Sequence, residues 1–188
     1  MRGMTSAAEP ELDAGPFSTW LTSMTAALRD EGDADVPCDG CTACCTASQF
    51  VTIGPDETDT IAHIPDALLF AAPGRPRHFV LGYDERGHCP MLVDAGCGIY
   101  EHRPRACRTY DCRIFAAAGV EIEEPGKRRL AHRVAQWRFT YDGPDDRRRQ
   151  AAVLAAARHI GEQAATRNAT EIAVLAVERY EEFLAADG

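Results

Sequence analysis

Cys38-Asp-Gly-Cys41-Thr-Ala-Cys44-Cys45 places four of the chain's eight cysteines in eight consecutive residues. The others follow at Cys89, Cys97, Cys107 and Cys112, so every thiol lies between positions 38 and 112 of 188. Sulfur at this density has three explanations: disulfide staples, thiol redox chemistry or metal ligation. The stretch Met1 to Asp13 has no apolar core of signal-peptide length and carries Glu9, Glu11 and Asp13. No later run approaches the length of a membrane span. The expectation is a cytoplasmic protein without membrane association, whose thiols stay reduced, and this favours metal over a disulfide framework. A thioredoxin-type dithiol belongs between a strand and a helix, whereas these pairs lie in loop-like sequence.

The spacing sharpens the metal reading. Two residues between cysteines let both sulfurs turn onto one centre, as in zinc and iron–sulfur knuckles. Cys38 and Cys41 form such a pair, and Cys41 and Cys44 overlap it. Gly40 offers the positive φ that a knuckle can require. The neighbours Cys44 and Cys45 point in different directions and are awkward ligands for one small tetrahedral ion. A two-centre arrangement is easier, as is one ligand beside one structural thiol. Eight sulfurs match two four-sulfur sites.

The formal net charge of −9 argues against general nucleic-acid binding. Between Arg75 and Arg113, however, seven Arg face five Asp or Glu. Arg103, Arg105, Arg108 and Arg113 either balance thiolate charge or form solvated surface. His88 and His102 either replace a sulfur as ligand or stay outside the site. There is no phosphate-binding Gly-rich loop and no Ser nucleophile motif, so no catalytic residue is nominated.

Around this centre the chain reads as α+β, predominantly helical. Residues 1–14 are small, acidic and unpatterned, an expected disordered N-terminus. Residues 15–143 form the cysteine-cluster domain, and 144–188 a C-terminal helical pair packed on it. Pro16 suits a first helical turn, and Phe17, Trp20, Leu21, Met24 and Leu28 recur at helical spacing; Trp20 reads as a core aromatic. Short strands are expected at Phe50–Ile53, His78–Tyr83 and Cys89–Val93, the last two as a hairpin around Asp84–Gly87. A short helix follows Asp56-Glu57, a helical turn covers Asp66–Ala72, and Pro104 opens another carrying Cys107 and Arg108. Leu130, Val134 and Trp137 fit a helix, yet Trp137–Tyr141 alternates like a strand. Asp145–Ala165 reads as helix. Asn168 with Glu171 forms a capping box for the next, whose apolar face is Ile172, Leu175, Ala176, Tyr180, Phe183 and Leu184.

The downstream sulfurs lie in Cys89-Pro, Cys97-Gly-Ile-Tyr100 and Arg103-Pro-Arg-Ala-Cys107-Arg108, followed by Cys112. With the upstream Cys-x-x-Cys-x-x-Cys-Cys, these elements resemble the CxxCxxCC family, the YkgJ-like cysteine-cluster proteins described as zinc- or iron-chelating domains. The resemblance covers about residues 36–115. It implies chelating roles for Cys38, Cys41, Cys44, Cys45, Cys89, Cys97 and Cys107. Cys112 stands where relatives vary between Cys and a Phe-Pro segment, and it completes the eight-sulfur set. Thr42 and Gly98 replace a common Gly and a common Ser, and neither change removes a ligand.

The function expected is metal binding, with iron, as an iron–sulfur cluster, or zinc as the cofactor; vicinal cysteines, eight sulfurs and nearby Arg lean to iron–sulfur. Two alternatives stand beside it. One is an enzyme using the centre for redox or methyl-transfer chemistry, since flagellin lysine methylases carry a similar cysteine arrangement. The other is a zinc-stabilised interaction module that meets a protein partner through its C-terminal helices.

Overall fold

The computed structural model describes residues 10–34, 36, 40–94, 96–163 and 167–184. Strand β1 (Leu12–Pro16) runs parallel to the distant β7 (Trp137–Thr140), with Leu12 opposite Trp137 and Pro16 opposite Thr140. The expectation of disorder up to residue 14 is therefore corrected for 12–14. Pairing with β7 supplies the hydrogen bonds that local sequence cannot, and Ala14 is buried in the core. Helix α1 (Phe17–Leu28) starts directly after Pro16. Its stripe of Phe17, Trp20, Leu21, Met24 and Ala27 is buried, as the helical periodicity requires.

That stripe joins the larger of two cores. Its other walls come from α4 (Arg113–Ala118), α5 (Arg128–Gln136), α6 (Pro144–Gln163) and α7 (Ala169–Arg179). The rings of Phe17 and Trp20 pack on Phe139 of β7 at 5.2 and 5.0 Å between centroids. The ambiguity after Pro125 resolves into both readings in turn, α5 followed at once by β7. The capping box is formed: Asn168 Oδ1 accepts from Glu171 N at 3.0 Å, and Glu171 Oε2 accepts from Asn168 N at 3.1 Å. A final turn, α8 (Glu181–Leu184), follows α7. The C-terminal helices pack against the rest of the chain, with Val153, Ala156, Ile160, Ala173, Ala176 and Val177 inside.

The smaller core holds Ile53, Ile64, Leu81 and Ile99. It is organised by an antiparallel sheet in the order β2 (Val51–Ile53), β4 (Phe79–Leu81), β3 (Leu69–Ala71). Two expectations fail here. Asp66–Leu68 makes a 3-10 turn, but Leu69–Ala71 is a strand, because β4 offers it a partner. The hairpin between His78–Tyr83 and Cys89–Val93 does not form. β4 already has a neighbour on each side, and β5 (Leu92–Val93) pairs with β6 (Gly96–Cys97) instead. The turn between them is real, with Gly87 N donating to Asp84 O at 2.8 Å. Helices α2 (Thr58–Ala62) and α3 (Arg105–Arg108) complete this half. Among the described residues, no helix is long and apolar enough to cross a membrane.

The described cysteines sit where the two cores meet. Cys41 and Cys112 pack with the larger, Cys89 and Cys97 with the smaller. The fold is α+β and predominantly helical, with short sheets around a cysteine-rich region.

Candidate metal centre

Each half of the sulfur pattern is positioned by its own local structure. Gly40 adopts φ +67°, the conformation for which glycine is suited at this knuckle. Cys44 and Cys45 begin a short 3-10 turn, Cys44–Thr46, closed by Thr46 Oγ1 on the carbonyls of Thr42 and Ala43. The halves are joined through their backbones, since Cys89 N donates to Cys45 O at 2.7 Å. Cys97 lies on β6, locked beside Cys89 by Leu92 N to Cys89 O at 3.0 Å and Gly98 N to Met91 O at 2.8 Å. Cys107 lies on α3, whose first N–H, from Arg105, is accepted by Glu57.

These elements enclose one cavity of about 560 Å³. Its walls include Cys41, Cys44, Cys45, Cys89, Cys97, Cys107 and Cys112, and all seven are free thiols. Cys38 lies outside the described residues. Stretches far apart in sequence thus meet at one place.

Within the cavity, Cys44 couples to its neighbour Cys45, and Cys44, Cys89, Cys97 and Cys107 form an electrostatic group. Cys107 feels Cys44, Cys89 and Cys97, and Cys89 feels Cys97 and Cys44. Burial, followed by those three neighbours, pushes the Cys107 thiol up to about 12. Burial likewise raises Cys89. Cys44 is raised furthest, first by a hydrogen bond with Cys45 and then by burial. The upward shifts of Cys44, Cys89 and Cys107 favour their protonated form, so a cation that binds them must displace protons. Among the described residues, no three sulfurs lie within 4.8 Å of one another; the trio that does is Asp59, His63 and His102.

Cys112 is placed differently. It is buried in the larger core at the start of α4, and its sulfur accepts from Trp137 Nε1 at 3.2 Å. The segment on either side is fixed by a buried ion pair. Asp111 accepts from Arg113 Nη2 at 2.8 Å and from Trp20 Nε1 at 2.7 Å, while Arg113 Nη1 donates to Ala14 O at 3.1 Å.

The four arginines separate by role. Arg113 serves that ion pair. Arg105 binds Asp30 at 2.7 Å and Arg108 binds Asp33 at 3.3 Å, pinning the approach to the first cysteine stretch against α3. Arg103 alone of the four lines the cavity, where its charge opposes the upward shift of Cys107. It is held over the Tyr100 ring at 3.6 Å, with Nε on Tyr100 O at 2.8 Å. Neither His88 nor His102 reaches the cavity wall.

The sequence reading missed several wall residues. Lys127, the chain's single lysine, lines the cavity and pairs with Glu124 at 2.9 Å. Tyr110 is half-buried there, its phenol pushed up by loss of solvent and its oxygen accepting from Gln49 Nε2 at 3.0 Å. Asn168, Thr170 and Glu171 bring the start of α7 to the same wall. No local signal marks these residues, since long-range packing delivers them.

Residues 37–121 match the family model CxxCxxCC, described as "Putative zinc- or iron-chelating domain". The match covers the cysteine-bearing region, so this part of the chain is similar to the CxxCxxCC family. No curated protein and no solved structure gives a significant match to the chain. The CxxCxxCC match spans all seven cysteines described above, together with Arg103 and Tyr110. It supports metal binding by this region, and the donor chemistry agrees. Thiols are soft ligands suited to zinc and iron–sulfur centres, and the cavity gathers them with basic groups that offset thiolate charge.

Proposed function

We propose that this chain binds an iron–sulfur cluster, with Cys44, Cys89, Cys97 and Cys107 as its principal ligands. Cys38, Cys41 and Cys45 are assigned to the same constellation, as ligands of a second centre or as thiols supporting the first. Cys112 is the outlying member, placed to support the centre from the core. The observation that carries this reading is that four sulfurs, each from a different segment, line one cavity, with Cys107 in electrostatic reach of the other three. Four thiolates on a single zinc at 2.3 Å would sit about 3.8 Å apart, closer than any described trio of sulfurs here. When bound, a cluster would supply one-electron chemistry. The chain's own residues hold the sulfurs in place, bury them and set Arg103 beside Cys107.

The test is anaerobic purification with iron, acid-labile sulfide and zinc quantified, together with the visible spectrum. Iron and sulfide in equal amounts with broad visible absorption are expected. Stoichiometric zinc without colour would transfer the thiols to a zinc site. Protein free of both metals after expression with either one supplied would sink the proposal.

A second reading, an enzyme that uses the centre, is favoured by the cavity itself. Its volume falls within the range of small-molecule sites, and its lining combines apolar Phe50, Leu81, Met91 and Ile99 with basic Arg103 and Lys127. A small organic molecule co-purifying with the metal-loaded protein would favour that reading. The interaction-module reading has less support, because the apolar faces of α6 and α7 pack inside the chain.

A further inference from the structure

Away from the sulfur cavity, Asp59, His63 and His102 bring a carboxylate oxygen and two imidazole nitrogens within 4.8 Å of one another. Asp59 and His63 come from α2 and its end, and His102 from the turn that leads into α3. His102 Nδ1 lies 2.7 Å from Asp59 Oδ2. His63 Nδ1 lies 3.8 Å from Asp59 Oδ1 and 2.8 Å from the Asp59 carbonyl. The two rings are stacked face to face, 3.5 Å apart and within 7° of parallel. All three side chains are open to solvent, Asp59 most of all at 71 % exposure.

The plain alternative is a histidine–carboxylate tie between α2 and the turn before α3. That junction is already tied, because Glu57 accepts from the N–H groups of both Gly54 and Arg105. A face-to-face sandwich is the less favoured ring geometry, and two imidazolium rings so placed repel each other, so the stack is readily undone. A cation accounts for the convergence of the nitrogens and the carboxylate; the rings turn as it binds, because each imidazole lone pair lies in its own ring plane.

We propose that Asp59, His63 and His102 form a second cation site, which takes a borderline divalent cation of the zinc class through both Nδ1 atoms and an Asp59 oxygen. Imidazole suits zinc, copper and nickel, and the carboxylate adds the negative charge. Three protein ligands leave a position for water or an exchanging ligand. Magnesium and calcium require shells of oxygen that this trio does not provide. None of the three residues lines the sulfur cavity, so the site is independent of the metal proposed there.

The probe is Zn²⁺, titrated in excess Mg²⁺ into full-length protein whose thiol centre is already loaded. Bound zinc is counted after dialysis, and histidine ring resonances are followed by NMR. One further zinc per chain is expected, with only the His63 and His102 rings shifting to a metal-bound signature. His63→Gln and His102→Gln should each abolish that extra uptake, and Asp59→Asn should weaken it at least about tenfold. Circular dichroism checks that these surface variants remain folded. Cys107→Ser should alter the thiol centre and leave the extra zinc in place, which separates this inference from the one above. No zinc beyond the thiol centre, or undiminished uptake by the His63→Gln/His102→Gln double variant, overturns it.

Discussion

Replacing Asp111 with Ala removes the acceptor shared by Arg113 and the Trp20 indole. The Asp111 side chain is 2 % exposed and that of Arg113 10 %, so water cannot take over as partner. Breaking a buried pair from one side costs about 3–5 kcal/mol, most of it the uncompensated charge left behind. The bond that Arg113 keeps to the Ala14 carbonyl points to the lower half of that range. For a chain of this size, about 3–5 kcal/mol corresponds to a fall in Tm of roughly 6–20 °C. The assay is equilibrium urea denaturation of equally metal-loaded proteins, followed by circular dichroism and Trp fluorescence. Arg179→Ala, which breaks the exposed and solvent-screened pair with Glu182, should cost far less and serves as the internal comparison. Replacing both partners, Asp111→Leu with Arg113→Met, should recover most of the loss. If Asp111→Ala costs no more than Arg179→Ala, the ion pair does not anchor β1, α1 and α4 as argued.

Three further outcomes are expected. Cys107→Ser should lower the metal-to-protein ratio, whereas Cys112→Ala should keep it and lower stability by about 1–2 kcal/mol through the lost sulfur contact with Trp137, read by metal analysis and urea titration on the same samples. Gly119→Ala should cost about 1–2 kcal/mol, because φ is +62° and the new methyl would approach Leu154 Cδ2 to 2.8 Å; a neutral result in thermal melts would show that α4 ends differently. Anaerobic chelation should reduce hydrogen-exchange protection between residues 40 and 112 while α6 and α7 keep theirs, and uniform loss across the chain would show that metal holds the whole fold.

Much of the helical framework can be read locally because helices declare themselves by period and caps. Phe17, Trp20, Leu21 and Met24 mark the buried face of α1, and Asn168 with Glu171 marks the start of α7. The strands depend on partners far away in sequence. Leu69–Ala71 has no strand signal of its own, and Leu12–Pro16 pairs with a strand more than a hundred residues later. The hairpin expected at Cys89 does not form, since its N–H is committed to Cys45, a contact that spacing does not reveal. The same limit applies to the site. Sulfur spacing identifies the cysteines, but Tyr110, Lys127 and the Asn168–Glu171 wall reach the cavity through tertiary packing. Asp59 and His63 look like an ordinary helix start until the fold brings His102 beside them.

The start of α7 forms part of the cavity wall, yet it is synthesised after every cysteine. A chain growing from its N-terminus presents every cysteine before Asn168, Thr170 and Glu171 exist. For that interval the thiols stand in an incomplete enclosure, open on the side that α7 later covers. Anything carried into the cavity during translation meets a wider entrance than it would in the finished protein. The direction of synthesis thus gives this centre a natural sequence of assembly: sulfurs first, enclosing wall afterwards.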